Sequence, residues 1–342
     1  MLFSARPGVN EWMRTTDDSP GFSRRRSGKG FRYLRPDGKE IKDPRTLGRI
    51  RKLAIPPAWT AVWISPDPDG SIQATGRDAR QRKQYRYHAT WIADRDEEKY
   101  GRLAAFLRAL PGLRKKVRRD LRGATASRDQ VLALLVTLLE ATFIRVGNEE
   151  YRRSNKSYGL TTLEDRHVSI QGSRILFDFR GKGGIAGHIE VVDRKLARLI
   201  RACRNIPGRH LFQYVDHRGL RRKVRSTELN AYVDGLAKEN FTAKDFRTWG
   251  ATMAAATLLE RHDRILIGVP GKRAMLEDIA SVADRLGNTP AICRKSYIHP
   301  ALLEAYQDED AFATWKRTRR GRRATGLSPS ESRLLRYLDA SR

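Results

Sequence analysis

The run VLALLVTLLEATFI at 131–144 constrains the fold more than any other part of the chain. Ser127 and Gln130 precede it at the spacing of a helix N-terminal cap, in which a serine hydroxyl accepts from the backbone three residues on. The run therefore predicts a very apolar helix that ends in Arg145-Val146-Gly147, with Gly147 as its stop. It is too short to cross a membrane, which takes about 20 apolar residues, and no run of 18 apolar residues occurs anywhere in the chain. The helix reads instead as part of a mainly helical domain.

Other signals divide the chain in two, in keeping with 342 residues and a usual domain size of roughly 100–200. Residues 1–28 are polar, carry Arg24-Arg25-Arg26, and read as a flexible basic arm. From 29 to 98 the pattern is β-rich: Pro36-Asp37-Gly38 marks a hairpin, 59–64, 71–75 and 84–88 are rich in β-formers, and only 44–53 reads as a short helix. The charged stretch DRDEE at 94–98 sets the boundary. From 99 to 342 helices dominate, interrupted by a β island at 168–170, 175–180 and 187–192 with Gly181-Lys182-Gly183-Gly184 as a turn. A helix follows at about 193–203. Thr242 and Asp245 cap another, Gly287 stops one begun near Ala274, and Thr289-Pro290 starts the next with proline at its first position. A basic tail begins at about 316 with KRTRRGRR and ends in a last helical segment. The fold class is α+β: a small, mainly β N-terminal domain and a larger, mainly α C-terminal domain holding a small three-stranded sheet.

Composition narrows the partners. There are 68 Lys and Arg against 39 Asp and Glu, a net charge of +29. A polyanion is the natural counterpart of such a surplus, and nucleic acid is the commonest one. The surplus is spread along the chain, +7 in residues 1–98 and +22 in the remainder. Two cysteines, Cys203 and Cys293, build neither a disulfide framework nor a metal signature. They read as reduced thiols in a cytoplasmic protein, and the first residues lack the apolar segment of a signal peptide. The seven histidines show no His-x-x-x-His pair, and Gly181-Lys182-Gly183-Gly184 is not a P-loop. No metal site and no ATP site are indicated.

Four residues stand out, each with a plainer reading. Arg145 at a helix end could simply meet C-terminal carbonyls. Lys182 in a glycine-rich turn could simply be solvated. Arg247 in FRTWGAT lies near a helix N-terminus, where a cation is disfavoured unless an anion rewards it. Tyr297 follows Arg294-Lys295-Ser296, as tyrosines on DNA-binding faces do. As a set they are more informative. Phosphodiester transfer without a metal needs a nucleophile, a proton donor for the leaving oxygen, and cations on the non-bridging oxygens. A tyrosine, a lysine and two arginines supply all three.

The motifs RVGNEEY (145–151), YGLTTL (158–163), FRGKGG (179–184), KDFRTWGAT (244–252) and LGNTPAICRKSYIHP (286–300) occur in one order. In that order and spacing the chain resembles the type IB DNA topoisomerases of the small poxvirus and bacterial kind. ATGRDARQRKQYRYH (74–88) is similar to the DNA-contacting segment of the family's small N-terminal domain, so the resemblance spans about 28–305. It implies that Tyr297 is the nucleophile, forming a phosphotyrosine with a DNA 3′-phosphate and freeing a 5′-hydroxyl. Arg145 and Arg247 match the arginines that bind the scissile phosphate, and Lys182 matches the lysine that protonates the departing 5′-oxygen. The family's fifth position, usually histidine in the viral enzymes, falls on Asn288, whose amide can donate a hydrogen bond but cannot exchange a proton.

In the N-terminal domain, Arg80, Arg82, Lys83, Gln84, Tyr85 and Tyr87 are expected to contact DNA; a glutamine can read adenine and basic residues hold phosphates. The resemblance further implies duplex DNA as partner, relaxation of supercoils without ATP or metal, no membrane association, and a monomer that closes as a clamp. Two alternatives stay open at this level. A tyrosine recombinase shares the chemistry but usually carries His-x-x-Arg where Lys244-Asp245-Phe246-Arg247 stands here. A non-enzymatic architectural DNA binder explains the charge but not the ordered motifs.

Overall fold

The structure is a computed structural model that describes residues 15–123, 125–237, 239–262 and 269–341. The described residues fall into two compact units that divide between Lys99 and Tyr100. The first is β-rich and the second larger and mainly helical, the α+β class expected. Among the described residues, no helix is long and apolar enough to cross a membrane.

In the first unit, strands β1 (Phe22–Ser27) and β2 (Gly30–Leu34), helix α1 (Pro44–Lys52), and strands β3 (Thr60–Ile64), β4 (Ile72–Arg77) and β5 (Lys83–Tyr87) follow in order. The strands form one antiparallel sheet ordered β2-β1-β3-β4-β5. Phe22, Ile41, Ile50, Val62, Ile64 and Ala74 close its core. Helix α1 begins at Pro44 as the sequence predicts, and Asp43 caps it by accepting from the Thr46 amide at 2.8 Å.

Two expectations are corrected here. The basic run at 24–26 is not an arm: Phe22–Ser27 is β1, paired on both sides. Phe22 is buried, and the Arg24 guanidinium lies 4.1 Å from the Phe31 ring centre while donating to the carbonyls of Ile55, Pro56 and Trp59. The apolar stem of an arginine can line a core while its head finds carbonyls, so a run of arginines need not be solvated. Residues 1–14 of the expected arm lie outside the described residues. The Pro36-Asp37-Gly38 turn forms, but beyond it the chain makes a single bridge, Leu34 to Glu40. The full hairpin is β1–β2.

Helix α2 (Ala89–Asp120) carries the DRDEE stretch. Helix α3 (Arg128–Thr142) follows, capped by Ser127 and buried from Gln130 to Leu139 apart from half-buried Thr137. It stops at Phe143, a non-glycine residue in the left-handed region (φ 54°, ψ 20°), four residues short of the expected stop at Gly147. Arg145 therefore lies beyond the helix, in the connection to α4 (Glu149–Asn155). The β island forms as strands β6 (Val168–Gln171), β7 (Arg174–Arg180) and β8 (Ala186–Val192) in the order β6-β7-β8. Helix α5 (Arg194–Arg204), a hairpin of β9 (Gln213–Val215) and β10 (Arg221–Lys223), and helix α6 (Ser226–Ala237) come next. The site is built on α7 (Ala243–Leu259), α8 (Val269–Leu286) and α9 (Pro290–Ser296). Helices α10 (Pro300–Glu304), α11 (Glu309–Arg317) and α12 (Pro329–Ala340) complete the unit.

The basic tail is folded. Trp315 and Tyr337 are buried edge to face at 5.3 Å, and the Arg114 guanidinium on α2 joins Glu140 of α3 to Glu331 of α12 at 2.6 Å each. A buried carboxylate held by an arginine needs such an ion pair to be tolerated.

The connection after α3 is pinned by a crossing of two backbones. The amides of Leu160 and Thr161 donate to the carbonyls of Arg145 and Val146 at 2.8 and 2.7 Å. The approach is close because Gly159 has no side chain: a Cβ there would lie 2.5 Å from both the Arg145 carbonyl oxygen and the Gly147 amide nitrogen. Backbone cannot step aside as a side chain can. Gly159→Ala is therefore expected to destabilise the chain by ~1–3 kcal/mol in chemical denaturation, and since Gly159 is extended (φ −156°) the loss comes from the clash and not from left-handed strain.

Candidate active site

The geometry of the site follows from how α8 ends. Gly287 adopts φ +61°, the Asn288 amide donates to the Ala283 carbonyl at 2.9 Å, and the Gly287 amide to that of Asp284 at 3.0 Å. This paired closure satisfies two of the last carbonyls and leaves those of Leu286 and Gly287 turned outward. Arg247 donates to the Leu286 carbonyl at 3.0 Å, and Arg145 to the Gly287 carbonyl at the same distance. Arg247 also donates to the carbonyl of Phe143, the left-handed residue that ends α3. The C-terminal ends of two helices, each the negative pole of its backbone, thus hold the two cations. The plain reading of Arg145, an arginine meeting helix-terminal carbonyls, is correct in kind, but the helix is α8 and not its own neighbour α3.

Arg247 is the fifth residue of α7, one turn in from the Thr242–Asp245 capping box that the sequence predicts. It is 5% exposed, and Phe246 and Trp249 beside it are buried. Gly250 lets α7 press on the Phe143 ring, which a Cβ there would strike. Among the described residues, neither Arg145 nor Arg247 meets a carboxylate; their partners are carbonyl oxygens, the Asn288 side chain and, for Arg247, the Tyr297 phenol. Burial, and then the like charge of Arg247, holds the Arg145 guanidinium below its ordinary pKa.

Tyr297 follows the last residue of α9, whose start at Thr289-Pro290 forms as predicted. Its ring centre lies 5.0 Å from the guanidinium carbon of Arg247. Burial pushes the phenol up, but Arg247, by charge and by hydrogen bond, together with Arg145 and Lys244, outweighs it, and the group lies below an ordinary tyrosine. Asn288 accepts from Arg145 through Oδ1, while its Nδ2 and the Nε of Arg247 are buried donors without a partner. Unfilled donors beside two unpaired cations describe a receptor for an anion.

Lys182 stands exposed at the tip between β7 and β8. The hairpin is tied to the Arg145 connection, because the Tyr158 amide donates to the Arg180 carbonyl at 2.8 Å just before Leu160 and Thr161 bind the carbonyls of 145 and 146. The six N-terminal candidates belong to the first unit and do not form one face. Lys83, Tyr85 and Tyr87 are exposed on alternate positions of the edge strand β5, with Tyr85, Tyr87 and Trp91 stacked at 5.7 and 4.6 Å. Gln84 points the other way, its amide donating to Asp78 at 3.0 Å, and Asp78 also pairs with Arg82 at 2.7 Å. Arg80 is exposed in the preceding turn.

Among the described residues, no group of three or more His, Cys, Asp or Glu is arranged to hold a metal ion. Sequence reasoning missed Thr252 and Tyr100, which contact the backbone on either side of Tyr297. Thr252 lies within the KDFRTWGAT motif, and its position five residues after Arg247 was the available signal.

Residues 83–322, more than half the chain, match the family described as the eukaryotic DNA topoisomerase I catalytic core. The chain belongs to the type IB DNA topoisomerases. Residues 30–78 match the bacterial DNA topoisomerase IB N-terminal domain. DNA topoisomerase 1B of Acanthamoeba polyphaga mimivirus is 35% identical over 302 residues, covering 85% of this chain and 89% of that protein. DNA topoisomerase I of Monkeypox virus is 22% identical over 241 residues, 69% of this chain and 72% of the viral protein. These matches support a type IB topoisomerase over a recombinase or an architectural DNA binder.

The electrostatics of Tyr297 in this topoisomerase are measurable without DNA. The phenolate is the charged form, so neighbouring cations favour it and its midpoint should lie below the usual ~10. Ultraviolet difference titration of wild type against Tyr297→Phe isolates that transition. In Arg247→Gln the burial remains while the main cation is gone, so the midpoint should rise. A wild-type midpoint at or above that of free tyrosine contradicts the arrangement.

Proposed function

We propose that this topoisomerase relaxes supercoiled duplex DNA with Tyr297 as nucleophile and Arg145, Arg247, Lys182 and Asn288 as its partners, without ATP or metal. The phenolic oxygen of Tyr297 attacks the scissile phosphorus, its proton passing to solvent. The bond from phosphorus to the 5′-oxygen breaks, and the 5′-oxygen leaves as a hydroxyl with a proton from Lys182. The number of phosphoester bonds is unchanged, so the nicked strand can rotate and the reverse attack restores the backbone with no energy source.

The observation that carries this reading is the convergence of one acidified tyrosine, two uncompensated guanidiniums and an unfilled amide donor on one spot. The arginines act twice. They offer their charge to the non-bridging oxygens as negative charge grows in the transition state, and they favour the phenolate. Asn288, held by Arg145 through its oxygen, presents its Nδ2 as a neutral donor to the same oxygens. Lys182, on an exposed tip, meets the leaving oxygen when a duplex lies on the hairpin. The exposed basic and aromatic row Lys83, Tyr85 and Tyr87, with Arg80 and Arg82, contacts the duplex from the N-terminal unit, and a monomer closes around it as a clamp.

Tyr297→Phe is expected to abolish both plasmid relaxation and the covalent protein–DNA adduct trapped by denaturant, with duplex affinity retained. Wild-type relaxation should persist in excess chelator with no nucleotide; a requirement for either would sink the cofactor-free reading. Arg145→Lys and Arg247→Lys keep the charge but lose the planar fork that grips two oxygens. Each should slow single-turnover cleavage by roughly 10²–10³-fold while leaving affinity mostly intact. Equal losses in both would mark them as affinity residues.

A further inference from the structure

The segment carrying Tyr297 is held along its backbone by two side chains from distant parts of the chain. Thr252, on α7 and fully buried, donates from Oγ1 to the Tyr297 carbonyl at 3.1 Å and accepts from the His299 amide at 3.2 Å. Tyr100, near the start of the second unit on α2, donates from its hydroxyl to the Lys295 carbonyl at 3.1 Å and sets its ring edge-on to that of His299 at 5.3 Å. Between these points the amides of Tyr297 and Ile298 both donate to the Cys293 carbonyl, at 3.0 and 3.2 Å. Ile298 is fully buried. Every backbone amide from 297 to 299 therefore has a named partner, and the only side-chain oxygen among those partners belongs to Thr252.

A hydroxyl can donate once and accept as well, and Thr252 does both, across the nucleophile's own peptide unit and the one after. It stands on the helix that carries Arg247, five residues further on. The placement of the attacking oxygen and the placement of one phosphate-binding cation are thereby set by one rigid element.

We infer that Thr252 is a positioning residue for covalent catalysis, assisted by Tyr100, fixing the Tyr297 backbone relative to Arg247 so that the phenol faces the phosphate. This rests on the reading of Tyr297 as nucleophile. Neither residue touches the reacting atoms. Their loss acts through geometry, to which attack is steep: a displacement of about 1 Å can cost on the order of 10²-fold in rate.

The test uses full-length protein and excess enzyme on a duplex, with the adduct quantified after denaturant quench. Thr252→Val keeps the shape and removes the hydroxyl; it should slow cleavage by about 10–100-fold, with duplex affinity unchanged. Thr252→Ser restores the hydroxyl and should recover most of the rate. Tyr100→Phe removes one oxygen and should slow cleavage to a smaller extent. The phenolate midpoint of Tyr297, read as above, should move up in Thr252→Val as the ring drifts from Arg247. A merely structural threonine gives a different result: a lower melting temperature with wild-type cleavage rate and an unmoved midpoint, which overturns the inference. If Thr252→Val does not fold, Tyr100→Phe decides, and a wild-type rate there overturns it. Peptide mapping of the wild-type adduct separates the two layers. An adduct on another residue defeats the nucleophile assignment and the inference with it; an adduct on Tyr297 with unaffected Thr252→Val and Tyr100→Phe rates defeats the inference alone.

Discussion

Two guanidinium groups held close together and out of water repel one another, and the catalytic unit is organised around making that arrangement tolerable. The solution is carbonyl oxygen, not carboxylate. Arg247 takes the ends of α3 and α8, and Arg145 takes the turn after α8 and the side chain of Asn288. An ion pair would have neutralised the charge and filled the donors. Helix-terminal dipoles hold the cations in place and leave their charge available. Much else in the unit follows from that choice. Phe143 must turn left-handed to offer its carbonyl, Gly250 must lack a side chain to admit the Phe143 ring, and Gly287 must close α8 so that Leu286 and Gly287 face outward.

The charge left available reaches the phenol of Tyr297 against the opposing effect of burial. Net acidification of a half-buried tyrosine requires cations that nothing else has neutralised, so the carbonyl scaffold and the perturbed phenol are one feature seen from two ends. The tie from Thr252 anchors the backbone of that tyrosine to the helix that carries its main cation.

Features with local causes were legible in the sequence. Thr242 with Asp245, Thr289 with Pro290, Pro44, and Gly287 are punctuation marks whose physics is complete within a few residues, and each helix end they mark is where it was read. The β island was legible because strands β7 and β8 alternate about a glycine-rich turn. What could not be read had causes far along the chain. Phe143 ends α3 early because its carbonyl is held by a residue 104 positions away, and nothing in a phenylalanine announces a left-handed turn. Arg24 looked solvated because its carbonyl partners lie more than 30 positions on. Gln84 was grouped with its neighbours because a strand's faces alternate, and only pairing with Asp78 reveals which face it joined. The site residues emerged as a set from motif order, whereas of the hydroxyls that support them Thr252 lay unread inside one motif and Tyr100, which binds backbone nearly 200 positions on, leaves no residue pattern.

Asn288 shows how fine the balance is. Its amide is oriented by a single hydrogen bond: the oxygen is taken up by Arg145, which leaves the nitrogen as a buried donor without a partner. Exchange of that nitrogen for oxygen, the change produced when an asparagine side chain slowly hydrolyses, alters the shape of the site hardly at all. It inverts its character. A carboxylate would lock onto Arg145, cancel one of the two guanidinium charges, and set a lone pair where a proton donor had stood. The spot would then repel an anion rather than attract one, so its electrostatic character hangs on the chemical survival of one side-chain amide.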